Sequence, residues 1–370
     1  MEEAKEQLSF ADDPDLKEAE EQLSYANENS EAPPPDIVAF NELRSCADLF
    51  RMHEAGQLEI KPEYQRDVVW QSAEQTRFID SLAKQLPIPS MCLSLDYKTD
   101  NRQVVDGLQR MWSIIRFLSE PDWRLSNLPD IDRRISNKTV EYLESKHPEI
   151  YARIENTTIP VTVLRCDLSK RTHQEYLFTI FHRLNKGGSK LSNQEIRNCI
   201  YSGSYNDMLR ELVKTREFST LMSLDKNKVY RYSNEELILR ILALSDDHGK
   251  YKTPLSKYLN AYMSKHRHDS DDKIGAAKEK FLRVADMVYR KLLGEEPMPR
   301  LSKATIEAIF VGVYRNFEGL EAAEAQVVKQ KYRNLRGDPL FSAEALKEGL
   351  AATERVKARL NRAVEIFSAK

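Results

Sequence analysis

The chain has 370 residues, 41% hydrophobic and 31% charged, a composition that excludes a disordered or membrane-embedded protein and suffices for two packed domains. No run approaches the roughly 18 apolar residues that span a bilayer, and the acidic N-terminus is unlike a secretory leader, so a cytoplasmic protein with no membrane partner is expected. The formal charge of −2 hides an asymmetry, because residues 1–36 hold 12 acidic and 2 basic side chains, or −10, leaving +8 on the body. Such a body is compatible with a polyanionic partner without establishing one.

The first 36 residues read as an acidic, disordered tail that ends near Pro33-Pro34-Pro35. Within it, Glu3–Ala11 (EAKEQLSFA) recurs fifteen residues later as Glu18–Ala26 (EAEEQLSYA). A duplicated marginal helix, a docking peptide and a mimic of DNA charge are all consistent with this repeat. From residue 41, the spacing of Leu43, Cys46, Ala47 and Phe50 predicts a helix stopped by Gly56. Leu58–Ile60 reads as a short strand, and Ser72 with Gln75 predicts a capping box for a helix with Phe78, Ile79, Leu82 and Leu86 on its apolar face.

Pro87-Ile88-Pro89 ends that helix, Met91, Leu93 and Leu95 alternate as in a half-buried strand, and Arg102–Val105 reads as its partner. Met111, Ile114, Ile115 and Leu118 restore helical period, which places Asp106–Arg110 at a strand-to-helix junction. Short helical pieces to about 155 precede a strand at Ile159–Arg165, and Leu177, Ile180, Phe181 and Leu184 then mark a helix. Ser192 and Glu195 box the start of the next one. Beyond residue 204 the segments Leu237–Leu244, Ala276–Leu293, Lys303–Arg315 and Ala343–Phe367 are all helical in period. The expected class is α+β, with a tail over 1–36, a mixed domain over 37–205 and an all-helical domain over 206–370.

The junction carries the first chemistry. N–H groups at a helix N-terminus lack intrahelical partners and, with the helix dipole, favour an anion. Gly107 allows a phosphate close to the main chain, Arg110 offers a planar charged fork, Asp106 suits a magnesium ion or a water, and Gln109 could position that water. Alone, this is also what an ordinary turn with a surface ion pair looks like. Tyr64-Gln65-Arg66, followed by Trp70, adds a cation and an amide beside aromatics. Arg183-Leu184-Asn185-Lys186-Gly187-Gly188-Ser189-Lys190 adds a loop whose main chain could wrap phosphates, or which simply caps a helix.

Taken in order, Tyr64–Trp70, Ile88–Met91, Val104–Arg110 and Phe181–Glu195 resemble the Y-Q-R-x-x-x-W, I-P-x-I, V-V-D-G-Q-Q-R and F-x-R-L-N-x-G-G-x-x-L-x-x-Q-E segments of the N-terminal domain family of GmrSD-type restriction endonucleases. The resemblance covers roughly residues 40–205 and implies a ParB- and sulfiredoxin-like core. It also implies nucleoside-triphosphate binding and hydrolysis coupled to DNA restriction in defence against phage, with DNA as a partner. Carried over, Asp106, Gln109 and Arg110 form the catalytic turn. Tyr64, Gln65, Arg66, Gly107, Arg183, Asn185, Gly187, Gly188 and Lys190 form the nucleotide-binding set.

Leu108 stands where the family has a polar Gln, which puts hydrolysis in more doubt than binding and leaves both an NTPase and a DNA-nicking activity open. There is no Walker A loop, and no HNH pattern follows residue 205, so a nuclease would come from a separate subunit. A non-catalytic DNA-binding module and a scaffold for a partner nuclease are the alternatives. Cys46, Cys92, Cys166 and Cys199 form no C-x-x-C pair and are expected as free thiols, and His266-Arg267-His268-Asp269 with Asp271 and Asp272 reads as a solvated loop.

Overall fold

A computed structural model describes residues 33–60, 70–184, 192–225, 232–252, 254–347 and 352–368. The chain clusters into two compact units, Glu31–Leu191 and, in the described part of the second, Ser192 onward.

The first unit is built on a five-stranded sheet. Its strands are β1 (Val38–Ser45), β2 (Leu58–Glu59), β3 (Met91–Asp96), β4 (Asn101–Asp106) and β5 (Thr158–Cys166). Their order is β1-β5-β3-β4-β2, with β5 parallel to β3, β2 parallel to β4, and the other pairs antiparallel. Helices α1 (Cys46–Glu54), α2 (Ser72–Ala83), α3 (Leu108–Ser119), α4 (Val140–Lys146) and α5 (Pro148–Asn156) connect them, and α6 (Arg171–Leu184) follows β5. Leu49, Ile79, Leu82, Met111 and Ile114 from the helices meet Met91, Leu93, Val104, Val161 and Val163 from one face of the sheet in a single apolar cluster. Alternation sends Cys92, Ser94, Leu164 and Cys166 to the opposite face, where α6 packs against β4.

Four local expectations are corrected. Residues 41–45 are strand rather than helix, because β1 pairs along its whole length with β5 and the helix starts only after Ser45, whose side chain caps it at Asp48 N–H, 3.0 Å away. The expected box at Ser72 does not form: Gln71 is the N-cap and makes no side-chain cap bond, while Gln75 accepts from Arg116 at 2.9 Å. Leu86 lies beyond α2 and is exposed. β3 is buried on both faces rather than one, as its central place in the sheet requires.

At the end of the sheet formed by Asp96 and Cys166, polar groups tie the start of the described chain to α6. His173 is buried, its Nδ1 accepts the Asp167 N–H at 3.0 Å, and its Nε2 donates to Asp36 at 2.8 Å. Asp36 also pairs with Lys170, and the buried Asp167 carboxylate pairs with Lys98 at 2.9 Å.

The second unit is helical, and its described residues include no strand. It contains α7 (Asn193–Ile200), α8 (Ser204–Lys214), α9 (Arg216–Leu221), α10 (Ser233–Asp247), α11 (Leu255–His266) and α12 (Asp271–Met287), the last running into a π-helical turn at Val288–Leu292. After these come α13 (Lys303–Arg315), α14 (Phe317–Ala322), α15 (Ala325–Arg336), α16 (Ala343–Lys347) and α17 (Thr353–Phe367). The predicted Ser192–Glu195 capping box is present and opens α7. α13 and α17 approach closely at Gly312, where a Cβ would lie 2.5 Å from the Phe367 ring. Inside this unit Arg197 bonds Glu236 at 3.0 Å, Gln194 at 3.0 Å and Asn260 at 2.9 Å, and Arg240 meets Glu307 at 2.5 Å.

The four cysteines are free, and burial pushes the thiols of Cys46, Cys92 and Cys166 up to about 12. The expected loop spans residues 267–270 between α11 and α12, while His266 ends α11 with its ring 4.4 Å from the Tyr262 ring and bonds Asp269 at 2.6 Å, and Asp271 and Asp272 begin α12. Among the described residues no group of three or more His, Cys, Asp or Glu could hold a metal ion, and no helix is long and apolar enough to cross a membrane.

Candidate functional site

The strand-to-helix junction lies where the sequence places it. β4 ends at Asp106, Gly107 turns the chain at φ +95°, and α3 starts at Leu108. Glycine is required twice over here. The left-handed backbone disfavours any side chain, and a Cβ would sit 2.7 Å from Met91 Cγ. No side chain caps α3, its first turn has no acidic residue, and the first helical bond closes from Met111 N–H to Gly107 O at 2.9 Å. The earlier N–H groups of the turn therefore have no intrahelical acceptor.

A β-bulge decides where Asp106 points. Leu93 lies opposite Val104 and Cys92 opposite Asp106, so Val105 is an extra residue on β4. Without it, alternation would put Asp106 on the same face as Val104, against the helices. With it, Asp106 joins Cys92 on the other face, where its side chain is 37% exposed.

Arg110 folds back over the turn. Its Nη2 donates to Asp106 at 3.0 Å, and its Nη1 donates to the carbonyls of Ser90, at 3.3 Å, and of Pro89. Burial pulls the guanidinium pKa down and the Asp106 charge opposes that shift, so the group keeps its charge. Of the five N–H donors of an arginine, three are engaged here. Gln109 turns the other way, and its Oε1 accepts the Trp70 N–H at 3.3 Å. Trp70 in turn packs on Phe78, with ring centroids 5.8 Å apart. Leu108 packs against the apolar cluster and adds no polar group to the turn.

Of the other predicted residues, Arg183 is exposed in the last turn of α6. Tyr64, Gln65, Arg66, Asn185, Gly187, Gly188 and Lys190 lie outside the described residues. Sequence reasoning missed the part played by Pro89 and Ser90, whose carbonyls hold Arg110, and by Trp70, whose amide holds Gln109. A signal for the first pair was present: Ile88-Pro89 before a strand and Arg110 after the turn belong to two motifs that were read separately. The bulge left no signal, because Val104 and Val105 are both ordinary strand residues.

No curated protein and no solved structure matches the chain. A family match, in contrast, covers both halves of the junction, the Pro89–Met91 segment that clasps Arg110, and α6. Over residues 46–202 the chain matches the family described as GmrSD restriction endonuclease, N-terminal domain.

Proposed function

We propose that the Asp106–Arg110 junction binds the phosphates of a nucleoside triphosphate, and that the chain serves as the nucleotide-dependent module of a DNA restriction and phage-defence system. The observation that carries this reading is the uncapped N-terminus of α3 beside a charged, partly engaged Arg110. Uncapped amides and a dipole favour an anion. Arg110 is held in place by Asp106 and two carbonyls, so its remaining N–H donors meet phosphate oxygens with little loss of side-chain freedom.

Magnesium fits this site only in the form typical of triphosphate enzymes, carried by the phosphates and waters with one carboxylate, Asp106, beside it; bound so, it would neutralise phosphate charge. Gln109 is occupied by Trp70 and Leu108 faces the core, so the turn offers few groups to direct a water. Binding is better supported than turnover.

Described residues that flank the other predicted segments support the same reading. β2 runs parallel to β4 and leads into residues 61–69, and Trp70, which follows them, bonds Gln109. α6 follows β5 after only Asp167–Lys170 and packs against β4. It therefore runs back toward the end where β5 begins, and Arg183 lies near its close.

Calorimetry with ATP and GTP on the full chain, with and without magnesium and duplex DNA, tests the reading. Micromolar binding that Arg110→Ala weakens supports it. Wild-type protein that binds no triphosphate, yet is retained on DNA in a salt-dependent way without phosphate release, would establish the DNA-binding alternative instead.

A further inference from the structure

The bulge that turns Asp106 outward also completes a row of residues across the sheet. Asp106 lies opposite Cys92, Cys92 opposite Thr162, and Thr162 opposite Asn41, so the four stand side by side on one face of β4, β3, β5 and β1. Three strand spacings of about 4.8 Å make this row roughly 14 Å long. It is hydrogen-bonded beyond the backbone ladder. Ser90 Oγ lies 3.3 Å from Thr162 Oγ1, and the Thr162 hydroxyl donates to Asn41 Oδ1 at 2.9 Å. Ser90 is also the residue whose carbonyl holds Arg110, so the row begins at the turn itself.

The chemistry changes along the row. At the Asp106 end stand a guanidinium, a carboxylate and uncapped amides. Past Asp106 there is no charge, since Cys92 is a buried thiol and the rest are two hydroxyls and an amide. Ser90 and Asn41 are exposed and Thr162 is half-buried, so these groups reach solvent. The Asn41 amide is oriented by Thr162 through its oxygen, and its Nδ2 makes no hydrogen bond among the described residues. Such a surface suits neutral hydroxyls and the edge of a heterocycle. Phosphate calls for the charge and amides at the other end.

We propose that Ser90, Thr162 and Asn41 hold the sugar and base of the nucleotide whose phosphates rest on the start of α3, a proposal that depends on the nucleotide reading above. Asn41 donates from Nδ2 to an acceptor on the base, and the two hydroxyls meet the sugar. β1, which carries Asn41, lies outside the segment that matches the family.

The test compares ATP with inorganic tripolyphosphate on the full chain, in wild type and in the double variant Asn41→Ala, Thr162→Val. The expected result is a loss of roughly tenfold or more in ATP affinity, as for two missing hydrogen bonds, with tripolyphosphate affinity held within about twofold. Retained tripolyphosphate binding also shows that the variant is folded. An equal loss for both probes, or no loss for either, overturns the role of the row and leaves the phosphate site standing. Wild-type protein that takes up neither probe overturns the nucleotide reading, and the row with it.

Discussion

Two arginines of this chain meet carboxylates in opposite settings. Arg197 lies in the helical unit at 1% exposure and bonds Glu236, Gln194 and Asn260. Arg110 lies at the end of the sheet against a carboxylate that is 37% exposed, with only part of its donors engaged. Burial by itself would raise the Glu236 carboxyl, but the Arg197 and Arg240 charges outweigh it and hold it below the ordinary value. A buried ion pair of this kind holds its fold together because neither partner survives alone. A half-open pair beside uncapped amides can take a third, mobile charge.

The largest effect is expected in the helical unit. Arg197→Ala leaves Glu236 without its closest cation, and a loss of about 3–5 kcal/mol in chemical denaturation is predicted. A loss below about 1 kcal/mol would mean that the network is not the keystone it resembles. Next comes Gly107→Ala, which forces a side chain into a left-handed turn and against Met91. A cost of about 1–3 kcal/mol in the unfolding midpoint is expected, together with weaker triphosphate binding. Arg110→Ala should cost less stability but lower triphosphate affinity roughly 10- to 100-fold, the range of one charge-assisted hydrogen bond. Arg110→Lys should not restore it, because lysine cannot span Asp106 and a phosphate with a planar fork.

The smallest effect concerns acid. Bonds from Lys170 and then His173 hold the Asp36 carboxyl down at about 2, against an ordinary 3.8. A lowered carboxylate stabilises the folded state fully above its unfolded value and loses that contribution as pH falls toward its folded one. Melting temperature should therefore fall more steeply from about pH 4 to about pH 2 in wild type than in Asp36→Asn. Parallel curves would detach Asp36 from the stability of α6.

Why some of this was legible in the sequence, and some not, follows from burial. β4, the turn and α3 were legible because Val104-Val105, Asp106-Gly107 and the 3.6-residue spacing of Met111, Ile114, Ile115 and Leu118 are strong and consecutive signals. β1 was not legible. It is an edge strand with Val38, Phe40 and Leu43 exposed, so no alternation marks it, and Leu43, Cys46 and Phe50 imitate a helical stripe. The ends of α2 and α7 show how capping divides: Ser192–Glu195 closes its box, while Ser72–Gln75 fits the same pattern one residue too late to cap. The Asp106–Arg110 pair was legible as a pattern, but its orientation was not. The bulge at Val105 is set by pairing with β3, a contact between distant segments that local spacing cannot show.

The most direct measurement is a crystal structure of the full chain with a non-hydrolysable triphosphate analogue. Phosphate oxygens are predicted within hydrogen-bonding distance of the Leu108 and Gln109 N–H groups and of Arg110, with the nucleoside lying across Ser90 and Thr162 toward Asn41. An analogue bound elsewhere, with the start of α3 covered by another part of the chain, would contradict the assignment of this junction as the phosphate site.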